Sequence, residues 1–241
     1  NKIMDESTHY KVMKGAYKYL RNDTIYCEET FDVYKEKKEN AYSFESELHS
    51  RVATGELLTM KVTYKLNKDY IPVLVMIERN LGENSIKEVY DYDSRHNILK
   101  YTFLDKNGKL HGHELSTSNK FYITSPCACT SMLFLRSKKF DNTGDNVYAF
   151  WTSRNQWEFT EAPRVQSIAV KKISTTYEPL LIEGNKLQSQ EYRLCEFQDE
   201  DMEEDPAFIR MYSSKHVTIP YMIKDEQDNT KIQIKFLNDL E

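Results

Sequence analysis

Glycine and proline are scarce in this chain, seven and six among 241 residues, which excludes collagen-like and low-complexity classes. Cysteine is scarce too. Cys27, Cys127, Cys129 and Cys195 are too few to staple a chain of this length as a disulfide framework, and their even number permits pairing without requiring it. No apolar run is long enough to cross a bilayer as a helix. Charge of one sign is not concentrated either. The net charge is −5 with both signs interspersed and no basic stripe, so nucleic acid is not an expected partner. No G-x-S-x-G elbow, P-loop, Rossmann fingerprint or H-E-x-x-H occurs, which lowers the expectation of an enzyme. The chain starts at Asn1 with no apolar leader, which is read as a mature product or a trimmed chain whose signal or anchor has been removed.

What the chain has is tyrosine and strand patterns. Tyrosine is the commonest aromatic, with 17 copies, and 39% of residues are hydrophobic, which suits half-buried sheets rather than a disordered chain. One pattern occurs twice. Ile71-Pro72-Val73-Leu74-Val75-Met76-Ile77, a polar turn and Ile86 to Tyr90 read as a hairpin whose first strand begins at a proline. Ile219-Pro220-Tyr221-Met222-Ile223, a polar turn and Ile232 to Phe236 read the same way. A proline removes one ladder donor, so both belong at strand starts or sheet edges.

Further hairpins are expected at Tyr17 to Tyr34 around Asn22-Asp23, and at Ile98 to Ser116 around Asn107-Gly108, where Asn-Gly supplies positive φ. Tyr42, Phe44, Leu48 and Val52 alternate with polar residues, with Ser46 and Ser50 weakening the apolar face. Met60, Val62, Tyr64 and Leu66 alternate with Thr59, Lys61, Thr63 and Lys65, which gives one buried and one wet face. Strands are also expected at Val147 to Trp151, Gln156 to Phe159 and Val165 to Ile173, with two more around Gly184-Asn185. A single helix is expected from Pro126, capped by Ser125 and closed by Arg136, Lys138 and Lys139. The fold class is therefore mainly β: a curved antiparallel meander, half-barrel or open barrel, around one short helix near residues 126–138, in one domain of residues 1–241. A strongly curved sheet leaves a concave apolar face, which either holds a hydrophobic molecule or is filled by its own side chains.

The helix and the elements after it carry a resemblance. Ser131-Met132-Leu133-Phe134-Leu135-Arg136, then Gly144-Asp145, then Val147-Tyr148-Ala149-Phe150, resembles a bacterial family of exported proteins of unknown function. Ile209-Arg210-Met211-Tyr212-Ser213-Ser214, followed by Ile219-Pro220-Tyr221 and a final hairpin strand, is similar to that family's C-terminal part. In the first half only the early hairpin from Gly15 to Tyr34 matches in pattern. The resemblance implies a β half-barrel in a periplasmic or outer-membrane-associated setting, similar in outline to carriers that localise lipoproteins or hold glycolipids. It transfers no catalytic residues.

Several groupings invite chemistry. His111-Gly112-His113 and Cys127-Ala128-Cys129 together would complete a tetrahedral zinc site. Against this, the spacing matches no usual zinc pattern, the histidines follow a turn, and on an α-helix the two cysteines diverge by about 200°. In an exported protein, a disulfide from Cys127 or Cys129 to Cys27 or Cys195 is the stronger expectation. Asp199 to Asp205 has six acids in seven residues and reads as a solvated loop without the EF-hand spacing for calcium. Carboxylate pairs such as Glu28-Glu29 and Glu45/Glu47 are expected by chance among 38 acids. Phe150, Trp151, Trp157 and Phe159 either line a cavity or, as cross-strand aromatics commonly do, stabilise hairpin packing.

The function these observations favour is a non-enzymatic envelope protein that binds a lipid-like or other hydrophobic ligand. Met60, Val62, Tyr64, Met132, Leu133, Phe150 and Trp151 would line the site, with no catalytic residue, no metal and no cofactor. Two alternatives stand beside it. One is an enzyme with an unfamiliar acid-base or metal site near His111, His113 and Cys127. The other is an interaction module that offers a sheet edge to a protein partner.

Overall fold

The computed structural model describes residues 8–136, 139–144, 146–197, 207–216 and 218–241; the acidic run Asp199 to Asp205 and Asp145 of the Gly-Asp turn lie outside them. The described residues open with eight consecutive antiparallel strands. These are β1 (His9–Arg21), β2 (Thr24–Glu36), β3 (Tyr42–Arg51), β4 (Leu57–Leu66), β5 (Pro72–Leu81), β6 (Asn84–Asp93), β7 (Ile98–Leu104) and β8 (Leu110–Ser116). A two-residue strand β9 (Tyr122–Ile123) follows, then short 3-10 turns at Ala128–Thr130 and Leu133–Arg136. The remaining strands are β10 (Asn146–Thr152), β11 (Arg164–Lys172), β12 (Glu178–Ile182), β13 (Asn185–Glu196), β14 (Ile209–Ser213), β15 (Pro220–Asp225) and β16 (Thr230–Asp239).

The sixteen strands of the described residues belong to one sheet system, in the order β8 back to β1, then β16, β15, β14, β13, β11, β10 and β9, with β12 paired to the first half of β13. β9 and β10 run parallel; the other pairings are antiparallel. Strand β1 joins the two halves, bonded to β2 on one side and to the last strand, β16, on the other. No helix among the described residues is long and apolar enough to cross a membrane.

Period-two burial builds this sheet. Along β2 the inward row is Cys27, Glu29, Phe31 and Val33; along β4 it ends in Val62, Tyr64 and Leu66; along β6 it is Ile86, Glu88 and Tyr90. Pro72 and Pro220 begin β5 and β15, and each sits beside a register shift in its pairing, so the missing donor falls where the ladder is already interrupted. At the Asn107-Gly108 turn only Gly108 takes positive φ (+79°), because the Asp105 carboxylate accepts from the Asn107 and Lys109 amides and holds a longer loop than a two-residue turn. Glu183 (φ 49°) and Gly184 (φ 82°) do form a two-residue turn between β12 and β13.

Two expected elements take other forms. The helix is short and bent, split into the two 3-10 turns, with Cys127 extended (φ −101°, ψ 141°) at its start and no side-chain cap. Ser125 does not cap it, because the first amides already have an acceptor from outside the segment, the carboxylate of Glu29. Gln156 to Phe159 is a loop rather than a strand, although Trp157 and Phe159 still turn inward and their neighbours outward. The reason is Asn155, which is buried. Its Oδ1 accepts from the Thr160 amide (2.8 Å) and its Nδ2 donates to the Glu161 carbonyl (2.8 Å), folding the chain around one side chain.

The inner face of the sheet is largely filled. One continuous cluster runs from Tyr17 and Phe31 through Val62, Tyr64, Tyr90 and Phe103 to Cys129 and Leu133; a second gathers Tyr122, Met132, Phe134, Tyr148 and Met211. Gly15 is required by this packing. A Cβ there would lie 2.6 Å from the Phe31 ring and 2.9 Å from the backbone oxygen of Phe236, in a strand held on both sides. We expect Gly15→Ala to cost about 1–3 kcal/mol in denaturant unfolding, with an unchanged midpoint counting against the overpacking account.

Candidate functional site

Two carboxylates sit inside the apolar inner rows. Glu29 on β2 is fully buried. One oxygen, Oε1, accepts from the hydroxyl of Tyr19 and from the amide of Ala128 at 2.8 Å, and Oε2 accepts from the amide of Cys129 at 3.3 Å. Tyr19 also accepts from the Ala128 amide at 2.9 Å. The strand wall thus holds the start of the first 3-10 turn. The thiols of Cys127 and Cys129 converge on the same point: one ligand atom from each of Glu29, Cys127 and Cys129 lies within 4.8 Å of the others. The extended Cys127 explains the convergence, since the segment is not a continuous helix that would splay the two side chains apart. Cys127 Sγ stands 3.1 Å from Thr130 Oγ1 and 3.3 Å from Ser125 Oγ. Burial pushes the Cys129 thiol and the Tyr19 phenol up from their ordinary values. Neither Cys127 nor Cys129 is in a disulfide, so that expectation is corrected: the segment turns both inward to Glu29.

Glu88 on β6 is the second carboxylate, and its surroundings differ. It accepts from Arg79 Nη1 (2.8 Å), from the Tyr101 hydroxyl (2.5 Å) and from Ser153 Oγ (2.6 Å). Asn155 Nδ2 donates to the same tyrosine oxygen at 3.0 Å. This network ties the loop after β10 to the β6–β7 wall. Arg79 neutralises the charge that burial would otherwise penalise.

The expected site residues separate into three groups. Tyr64, Leu133 and Phe150 come together around an apolar cleft of about 240 Å³, completed by Phe134, Met211 and Ile223 and rimmed by Thr124, Ser125, Thr130 and Ser131. Val62 and Trp151 belong to the packed main cluster with Met60 against it, and Trp151 Nε1 donates to Thr117 Oγ1 at 3.1 Å. Met132 is enclosed in the second cluster. Tyr64 spans cleft and wall: its hydroxyl donates to the Ile123 carbonyl (3.0 Å) and accepts from the Ile123 amide (3.1 Å), fixing β9 on the inner face.

The histidine pair does not meet the cysteines. His111 and His113 on β8 both stack on the Phe159 ring, at centroid distances of 4.6 and 5.3 Å, and His111 Nε2 lies 3.2 Å from Asp105. Among the described residues, no group of three potential metal ligands contains either histidine. A zinc site joining His111 and His113 to Cys127 and Cys129 is therefore excluded by placement. Sequence reasoning missed Glu29 and Glu88 as inward groups, although parity marked both: each is the one acid in an inward apolar row, Cys27-Glu29-Phe31 and Ile86-Glu88-Tyr90.

No protein-family model matches the chain, and no curated protein matches it. Solved structures share its fold. One is a β-barrel-like protein of the domain of unknown function DUF1849 from Brucella abortus, with a TM-score of 0.59 and 7% identity over 97% of this chain and 100% of that one. Another is a DUF1089 family protein from Pseudomonas aeruginosa, with a TM-score of 0.50 and 12% identity over 84% of this chain and 90% of that one. At these identities the likeness is one of fold.

Burial raises the Glu29 carboxyl above its ordinary 4.5, with the bonds from Tyr19, Ala128 and Cys129 pulling it part of the way back. A carboxyl whose pKa is higher in the folded chain supports the fold fully below the ordinary value and loses that contribution as pH rises through the folded one. Urea midpoints should therefore fall more steeply for the native chain than for Glu29→Gln as pH climbs from 4.5, and run parallel beyond the transition. Equal slopes throughout would mean that Glu29 is ionised in the fold as readily as out of it.

Proposed function

We propose that this chain is a non-enzymatic binding protein for a slim apolar group, such as a single acyl chain, received in the cleft between the inner 3-10 segment and strands β10, β14 and β15. The cleft itself carries the reading: about 240 Å³ walled by Tyr64, Leu133, Phe134, Phe150, Met211 and Ile223. Ligand sites commonly span about 300–1,000 Å³, so this one suits one chain or a small ring system rather than a lipid with several chains. Thr124, Ser125, Thr130 and Ser131 also line it, their hydroxyls paired with Thr152, with each other and with the Ala128 carbonyl, so the cleft favours an apolar group over a polar head. Because side chains fill most of the concave face, the reading rests on this cleft alone.

Other surfaces favour an apolar ligand less. A larger groove of about 560 Å³ is bordered by Glu183, Lys186, Lys215, Lys235 and Asp239, whose charges would lose hydration under a greasy ligand. The enzyme alternative near His111, His113 and Cys127 loses support, since the histidines stack on Phe159 and Cys127 faces Glu29. A bacterial envelope setting is part of the proposal; it is supported by the resemblance in the second half of the chain.

Native mass spectrometry of chain purified without detergent should show an added mass that organic extraction removes. Ile223→Trp, which fills the cleft, should weaken displacement of a fluorescent fatty acid about tenfold, or ~1.4 kcal/mol. Unaltered binding by a folded Ile223→Trp, or no binding by the native chain, would sink the reading.

A further inference from the structure

The two buried glutamates pose a contrast that the binding function does not address. Glu88 is matched by the guanidinium of Arg79. Glu29 is as deeply buried but makes no ion pair among the described residues; instead, two thiols face it. A buried charge in a protein is generally paired with a cation or bound to a metal, and a carboxyl without such a partner tends to keep its proton. We infer that Glu29, Cys127 and Cys129 form a site for a thiophilic divalent cation, zinc in the first place, which fastens the inner segment to strand β2.

Three observations carry this. The first is the donor set: two sulfurs and a carboxylate oxygen are ligands zinc takes readily. Binding would release the two thiol protons, and the Glu29 carboxyl proton wherever it is held, to solvent, leaving two thiolates and a carboxylate on the ion. The second is spacing. Two thiolates on a tetrahedral zinc, with bonds near 2.3 Å, stand about 3.8 Å apart. The three ligand atoms already lie within 4.8 Å of one another, so only a small closing movement is needed. The third is local construction. Extended backbone at Cys127 turns both thiols to one side, and Glu29 Oε2 receives from the backbone only the long 3.3 Å bond of the Cys129 amide, so it keeps lone-pair capacity. Oε1 is held by Tyr19 and Ala128, which fixes the carboxylate as outer hydrogen bonds fix metal ligands elsewhere. Tyr19, bonded to Glu29, and Thr130, 3.1 Å from Cys127 Sγ, are the neighbouring oxygens for a fourth position.

The bonds the site would make join residues about a hundred positions apart, from β2 to the segment after β9. The ion would therefore act as a cross-link, and its loss would loosen the inner segment first. This does not depend on what the apolar cleft holds.

The probes are zinc(II) and cobalt(II), supplied to the full chain under reducing conditions, both in the native state and during refolding. One cobalt per chain is expected, with intense near-ultraviolet thiolate charge-transfer absorption that one equivalent of zinc abolishes. X-ray absorption at the zinc edge of the native chain should show two sulfur neighbours at about 2.3 Å, and needs no substitution that risks the fold. Cys127→Ser and Cys129→Ser should each weaken metal binding at least about tenfold, or ~1.4 kcal/mol, while the double variant His111→Ala/His113→Ala should bind as the native chain does. Zinc should raise the unfolding temperature of the native chain and leave that of Cys129→Ser unmoved. The site is refuted by no uptake in either state, by a coordination shell without sulfur, or by binding that follows the histidines rather than the cysteines.

Discussion

A sheet this long has to keep its inner face out of water, and hydrophobic contact alone does not say which loop lies where against it. Hydrogen bonds from side chains on the wall decide that. Tyr64 holds both backbone groups of Ile123, Glu29 and Tyr19 hold the amides after Cys127, and Glu88 with Tyr101 holds Ser153 and Asn155. Most of these pins are buried, where a hydrogen bond is electrostatically stronger than in water and an unmade one is costly. The interior segment therefore has one address. Tyrosine serves this purpose because its ring fills apolar space while its hydroxyl reaches a polar partner.

The cleft follows from that placement. The inner segment is anchored at its start by Glu29 and at β9 by Tyr64, while Phe134 leans on Tyr148 and Phe150 of β10. A longer, regular helix would have pressed more evenly on the sheet. The cleft lies against both short turns, lined by Thr130 of the first, Ser131 between them, and Leu133 and Phe134 of the second. The shape available to a ligand is set by how the segment is tied down as much as by which apolar residues line it.

Much of this architecture is legible in the sequence because strands advertise themselves locally. The alternation through Met60 to Leu66, the prolines opening β5 and β15, and the early and final hairpins all correspond to observed strands. The helix was legible as a helical segment but not as its actual form, since the acceptor of its first amides is Glu29, about a hundred residues earlier. The Gln156 to Phe159 alternation is real in burial, yet one asparagine side chain overrides the strand it suggests. For the site, inward parity could have singled out Glu29 and Glu88; the partnership of Glu29 with Cys127 and Cys129 could not be seen, because it depends on how far the sheet curls. The same curl carries His111 and His113 to Phe159 and away from the cysteines.

The bond between the first strand and the last has a consequence for how the chain is made. Strand β1 is synthesised well before the partner for its second edge, β16, with the other fourteen strands of the described residues between them. Tyr17 likewise waits for the carbonyl of Pro220, 203 residues later. Until β16 is made, the nascent β1 exposes an unsatisfied backbone ladder, open to mispairing with a neighbouring polypeptide. Closure of the β1–β16 seam is a long-range event that must wait for β16.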